Sequence, residues 1–319
     1  MSFMENQVLG YKSPLYGRRT AQFLIRPFDY KTSAQFVPSW TAADKAVIHG
    51  ITGGVPKYLE LIDPEKNLRQ NIIDLFLKES GYLFEEPGNL LKQELREAAS
   101  YNAVIEAIAA GATKVSEIAG KAKIDTSTTA HCLEVLISLG IVAKEMAITE
   151  ESNKRKTYYS IQDTMFRFWY RFIPGQIDAI LSKEGEMLYD EVIEKELPMY
   201  MGKIFEDICK QYLMGASRKG TLPLKILKIG RWWGNNPKKK REEEIDLVGL
   251  NLSRKQAIFG ECKYRNERLG KEVLDSLLEK AQLLKGFEER FYILFSKSGF
   301  TPHVEAAEHV LLVSLEDMY

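Results

Sequence analysis

Cysteine and histidine are both scarce in this chain. Its 319 residues include three cysteines, Cys132, Cys209 and Cys262, and four histidines. The cysteines lie far apart, each in an apolar periodic segment, which reads as buried thiols in a reducing compartment and argues against a disulfide framework. Histidines scattered singly argue against a Cys/His metal site. Net charge is zero, with 44 basic against 44 acidic residues. Such a protein does not coat nucleic acid by charge alone, so any phosphate contact has to come from local basic patches. No apolar run approaches the ~18 residues of a membrane span and the N-terminus has no signal-peptide pattern, so the expected setting is cytoplasmic, with no membrane partner. Nothing matches Gly-x-x-x-x-Gly-Lys-Ser/Thr, and the phosphate cradle of that motif is missing. What is present is ordinary for a globular protein: 45% hydrophobic and 28% charged residues, over a length that allows two or three domains.

The chemistry concentrates between Arg241 and Arg265, REEEIDLVGLNLSRKQAIFGECKYR. Ile245 to Gly249 is a short apolar run led by acid, Asn251 to Ser253 is a polar break, and Ala257 to Lys263 is a second run. The pair reads as a β-hairpin. Side chains alternate along a strand, so Glu261 and Lys263 share a face and Cys262 takes the other. Asp246 reaches that same face from the first strand. Two carboxylates and a lysine converging there suit one Mg²⁺ or Mn²⁺, since a hard divalent ion takes oxygen ligands and keeps several waters. Metal-assisted phosphodiester cleavage is the chemistry such a set supports. Glu-x-Lys alone is a weak signal in so charged a chain, where a solvated hairpin is the ordinary reading.

The longer pattern is sharper: acid-Ile-Asp, then Gly-Glu-x-Lys with its Glu fifteen residues beyond Asp246. It resembles the restriction-endonuclease-like superfamily, PD-(D/E)XK, over roughly Asp190 to the C-terminus. The resemblance implies catalytic roles for Asp246, Glu261 and Lys263, metal ligation by Asp246 and Glu261, and DNA as partner. A further acid on the preceding helix falls to Glu206 in MGKIFEDICKQYL, at the edge of the stripe Phe205, Ile208, Cys209, Tyr212 and Leu213. Gln282, in the helix after the lysine strand, matches a polar residue that some members place near the site. Just before the hairpin, RWWGNNPKKKR brings Lys238, Lys239, Lys240 and Arg241 together, a loop suited to repeated phosphates. The competing reading is a solvated turn with Trp232 and Trp233 in the core.

Residues 1–85 contain Ser-Pro-Leu-Tyr-Gly-Arg-Arg-Thr at Ser13 to Thr20, then Phe23 to Phe28, then a helical stretch and a Gly-Gly-x-Pro turn at Gly53 to Pro56. This resembles the late part of an archaeal-type P-loop ATPase domain of the AAA/STAND kind: sensor segment and helical lid. The resemblance implies Walker strands upstream of Met1, a chain truncated relative to that family, and ATP as cofactor only if the missing P-loop half, or an intact homologue, is supplied as a partner. Arg18, Arg19 and Pro56 would then face the nucleotide. ATPase activity is not expected of this chain alone. A simple helix-breaking turn is the plainer account of Gly53 to Pro56.

Residues 86–185 read as a winged helix-turn-helix with its linker. A helical stretch from Gly88 to Gly111 is followed by Lys114 to Ala122 and by a third helix that Asp125 caps and Gly140 ends. Two strands, Ile141 to Ala147 and Lys156 to Ile161, flank a charged loop. The third helix turns Ser127, Thr128, His131 and Glu134 outward, a face poorly suited to base readout. Lys154 and Arg155 in the wing could touch phosphates. The ring-dense Met165 to Pro174 reads as the packing seam between the winged helix and the C-terminal domain rather than as base stacking. Residues 186–319 follow in the order helix, three strands, helix, strand, with a closing helix and strand. The expected class is therefore α/β and multi-domain: lid remnant, winged helix, and a restriction-endonuclease-like domain with a mixed sheet. The expected function is a Mg²⁺-dependent DNA endonuclease-like module. The alternatives are a non-catalytic nucleic-acid-binding or regulatory part of an ATP-binding protein, and a winged-helix DNA-binding regulator.

Overall fold

Strand and helix periodicities alternate along the chain, and the computed structural model follows them. Residues 11–14, 16–18, 20, 21, 23, 25–95, 97–149 and 157–319 are described. The chain is mixed α/β and divides into two compact units. One takes the residues to Phe28, Ile51–Glu145 and Thr157–Ile193; the other takes Asp29–Gly50, the stretch from Met146, and Glu194–Tyr319.

The first unit is mainly helical. Its helices Ala98–Ala109, Val115–Ala122 and Thr126–Ser138 are followed by a two-stranded sheet, β1 (Val142–Met146) and β2 (Thr157–Ile161). Asp125 starts the third helix as expected, its Oδ1 accepting from the Thr128 N–H at 2.9 Å. Thr129, Cys132, Leu133 and Leu136 are buried on this helix, while Ser127, Thr128, His131 and Glu134 are exposed. The stretch expected to be one helix from Gly88 is two, because Leu95 adopts extended backbone after Glu86–Glu94. The aromatic segment forms the helix Thr164–Phe172, and its rings turn inward: Phe168 packs tilted against Phe76 with ring centroids 4.7 Å apart, and Trp169 Nε1 donates to the Phe84 carbonyl at 2.6 Å. In the Gly-Gly-x-Pro turn, Gly54 has φ +71°, and a Cβ there would lie 2.1 Å from the Phe28 carbonyl oxygen. The turn needs glycine because the chain passes against it, with the Phe28 N–H bonded to the Gly54 carbonyl at 2.8 Å.

The second unit is built on a five-stranded sheet in chain order: β3 (Lys228–Asn236), β4 (Arg241–Asn251), β5 (Gln256–Lys263), β6 (Glu289–Ser296) and β7 (Val310–Ser314). β3, β4 and β5 are antiparallel neighbours, whereas β5, β6 and β7 run parallel, so the sheet is mixed. β3 begins and ends later than the expected strand from Leu224 to Trp232, and Trp232 and Trp233 are both buried in it. The helix Lys271–Ala281 covers one face, packing Val273, Leu274 and Leu277 with Ile245, Val248, Leu250, Phe259 and Leu294. Each such side chain, fully buried, contributes about 1.5–3 kcal/mol. Toward the other face, the long helix Glu194–Lys219 sets Phe205 5.6 Å from Tyr264, and Tyr212 5.8 Å from Phe295. Among the described residues, no helix is long and apolar enough to cross a membrane.

Candidate active site

Register brings the two acids of the hairpin together. β4 and β5 pair from Asn251↔Gln256 to Leu247↔Gly260. Continuing that register one step sets Asp246 opposite Glu261. On its other edge β4 pairs with β3 through Gly230↔Val248 and Trp232↔Ile245, so two residues, Asp246 and Leu247, oppose Arg231 alone. This is a β-bulge, which leaves a residue out of the ladder and re-aims its side chain. The core positions Ile245, Val248 and Leu250 record it as a slip of one in the alternation.

At the bulge Asp246 is 5% exposed. Its Oδ2 accepts the Cys262 N–H at 2.9 Å and lies 3.4 Å from Lys263 Nζ. Lys263 also donates to Glu261 Oε1 at 2.7 Å. Burial works against the Lys263 charge, but the Asp246 and Glu261 carboxylates outweigh it and hold the group above its ordinary value, as an ammonium. Alternation places Cys262 on the opposite face, where its thiol meets that of Cys209; burial pushes both thiols up.

Glu206, on the Glu194–Lys219 helix, accepts from Lys203 at 3.0 Å and lies 3.5 Å from Arg231 Nε. Burial raises its carboxyl above the usual range, Lys203 pulls the other way, and the Asp246 charge adds to the rise. The helix after the lysine strand contributes a residue that sequence reading missed. Lys280 Nζ lies 3.3 Å from both oxygens of Glu261, while Gln282 is exposed at the helix end. The available signal was helical spacing: Lys280 sits three residues past buried Leu277, next to the buried stripe.

The basic loop forms the β3–β4 turn. Lys239 pairs with Glu279 at 2.7 Å and Arg241 with Glu243 at 2.9 Å. The Lys238 N–H bonds Asn236 Oδ1, and Lys240 has φ +51°. Arg241, the first residue of β4, lies five residues before Asp246 at the strand's middle, about 17 Å along a strand, and Glu279, the partner of Lys239, is the neighbour of Lys280 on its helix. Arg18 is exposed in a turn and Pro56 is the exposed first residue of the helix Pro56–Leu59. Arg19, Lys154 and Arg155 lie outside the described residues.

A hard divalent ion fits the donor chemistry here. Asp246 and Glu261 supply carboxylate oxygens at one end of a strand pair, with an ammonium alongside. Among the described residues no three His, Cys, Asp or Glu side chains gather as an ion-holding group. An ion at this pair would therefore take few protein ligands and keep its waters, as Mg²⁺ commonly does.

Residues 169–275 match the family model DUF234, described as archaea bacterial proteins of unknown function. That span contains Glu206, Asp246, Glu261 and Lys263 and stops before Lys280. Protein VC1899 from Vibrio cholerae, a crystal structure, aligns over 95% of this chain and 63% of its own length, with 11% identity and a TM-score of 0.32, a likeness too slight to bear on fold or function. The uncharacterized protein MJECL04 of Methanocaldococcus jannaschii is 33% identical over 325 residues, covering 99% of this chain and 70% of the relative. At that identity and span, the chain belongs to the family of this archaeal protein, and its residues 169–275 carry the DUF234 match.

Proposed function

We propose that the sheet unit is a Mg²⁺- or Mn²⁺-dependent phosphodiester-cleaving domain of the PD-(D/E)XK kind, acting on DNA. The observation that carries this reading is the convergence of Asp246, Glu261 and Lys263 where the β4–β5 pairing ends, with the bulge turning Asp246 out of the ladder. Asp246 and Glu261 would hold the ion. When bound, the ion supplies Lewis acidity and an activated water. Lys263 offers an ammonium beside both acids, placed to donate to a phosphate oxygen. The Cys262 N–H fixes the Asp246 carboxylate, and Glu206 stands close enough to feel its charge. Lys238, Lys239, Lys240 and Arg241 would hold the duplex farther along, as positioning contacts without sequence readout; Lys154 and Arg155 would do the same from the wing. In the wider ATPase-family reading, residues 1–85 would correspond to a sensor segment and helical lid, with Arg18, Arg19 and Pro56 meeting ATP only alongside a P-loop half.

The test is cleavage of a labelled panel of branched and linear DNAs under Mg²⁺ and Mn²⁺ titration, comparing the chain with Lys263→Ala. Loss of cleavage by at least 100-fold with binding retained is the expected outcome. One observation favours a second reading, a non-catalytic nucleic-acid-docking module: both acids already have lysine partners, Lys263 and Lys280. Binding that ignores metal, with no cleavage by either protein, would select that reading.

A further inference from the structure

Glu261 is shared by two ammonium groups. Lys263 bridges it to Asp246, at 2.7 and 3.4 Å. Lys280 approaches from the Lys271–Ala281 helix, within 3.3 Å of each Glu261 oxygen, its side chain only 15% exposed. Among the described residues, Glu261 is its one carboxylate partner. A lysine so placed loses hydration, and that loss is tolerable only where an acid answers the charge. The acids are equally buried, at 5% exposure each. Two acids with two ammonium groups make a neutral cluster.

We propose that Lys280 is a built-in counter-cation of Glu261, competing with a divalent ion for that carboxylate and so setting the affinity of the Asp246–Glu261 pair for Mg²⁺ or Mn²⁺. This rests on reading that pair as the ion-holding acids. Binding a dication there adds two positive charges to a neutral cluster, and release of an ammonium from Glu261 relieves the repulsion. Of the two lysines, Lys280 is the one built to leave. Lys263 holds both acids, whereas Lys280 holds Glu261 alone, so displacing Lys280 leaves the Lys263 contacts to both acids in place. Lys280 is thus a positioning residue acting through Glu261.

Mn²⁺ binding to the whole chain, measured by calorimetry without DNA, tests this independently of catalysis. Lys280→Met is expected to bind Mn²⁺ about tenfold more tightly than the parent, the effect of removing one contacting charge. Lys280→Arg should stay near the parent, and Asp246→Asn should abolish binding in both backgrounds. Unchanged or weaker binding by Lys280→Met, with Asp246→Asn still abolishing it, overturns the role of Lys280 and leaves the ion site standing. Binding insensitive to Asp246→Asn, or absent from parent and Lys280→Met alike, overturns the ion site and this inference with it. Thermal melts without metal establish that each variant is folded, and Lys280→Gln takes the place of the methionine variant if that one is not.

Discussion

Asp246 has a structural task as well as its proposed chemical one, and the two are separable. Its Oδ2 is the acceptor for the Cys262 N–H, which lies beyond the last β4–β5 pair, Leu247↔Gly260. Asparagine can keep that acceptance while giving up the charge. Alanine cannot, and a buried N–H left unsatisfied costs about 1–3 kcal/mol. Asp246→Ala is therefore expected to unfold in urea with a stability lower than Asp246→Asn by about that amount, while both lose cleavage and Mn²⁺ binding. Equal stabilities would mean that water or another group satisfies Cys262. At this scale the sequence was informative for residues two apart on one strand, since alternation alone places Glu261 and Lys263 together. For Lys280 it went only as far as helical spacing beside the buried stripe, since the reach to Glu261 comes through helix-on-sheet packing.

Elements here begin and end where local chemistry directs, and two glycines in contrasting settings allow that to be measured. Gly54 sits at φ +71° with the Phe28 backbone against it, whereas Gly120, inside the helix Val115–Ala122, has open space where a Cβ would go. Gly54→Ala should destabilise by at least ~2 kcal/mol, through strain and backbone displacement. Gly120→Ala should stabilise by about 0.5–1 kcal/mol, because alanine has less backbone freedom to lose on folding and better helix propensity. Equilibrium denaturation of both variants checks the pair, and a neutral Gly54→Ala would mean that the turn relaxes freely. Legibility follows the same division. The capped helix after Asp125 and the Gln256–Lys263 strand were readable because caps and periodicity are local. The break at Leu95 was not, since nothing in the apolar spacing marks it. β3 likewise ran beyond its expected end at Trp232, as Trp233, Gly234, Asn235 and Asn236 pair with β4.

Across the whole molecule charge is balanced, so binding to a phosphate polymer has to rest on local imbalance. The β3–β4 turn is the clearest basic run, yet Lys239 and Arg241 there are already paired with acids. Replacing Lys238, Lys239 and Lys240 together by alanine should weaken DNA binding and lower the salt dependence of log K by roughly 2–3. Cleavage of DNA that is already bound should change little, because the partners of Lys239 are Glu243 and Glu279 and not Asp246 or Glu261. A salt dependence that does not move would transfer the contact to another surface. The sequence by itself determined the mixed α/β class, the order of helices and strands from the Glu194–Lys219 helix onward, and the shared face of Glu261 and Lys263, because side-chain periodicity and end-capping are properties of a few neighbouring residues. Only the tertiary structure decided that Asp246 stands on a bulge opposite Arg231 and that Lys280 closes on Glu261. Both depend on register and packing between segments distant in the chain, which no local spacing encodes.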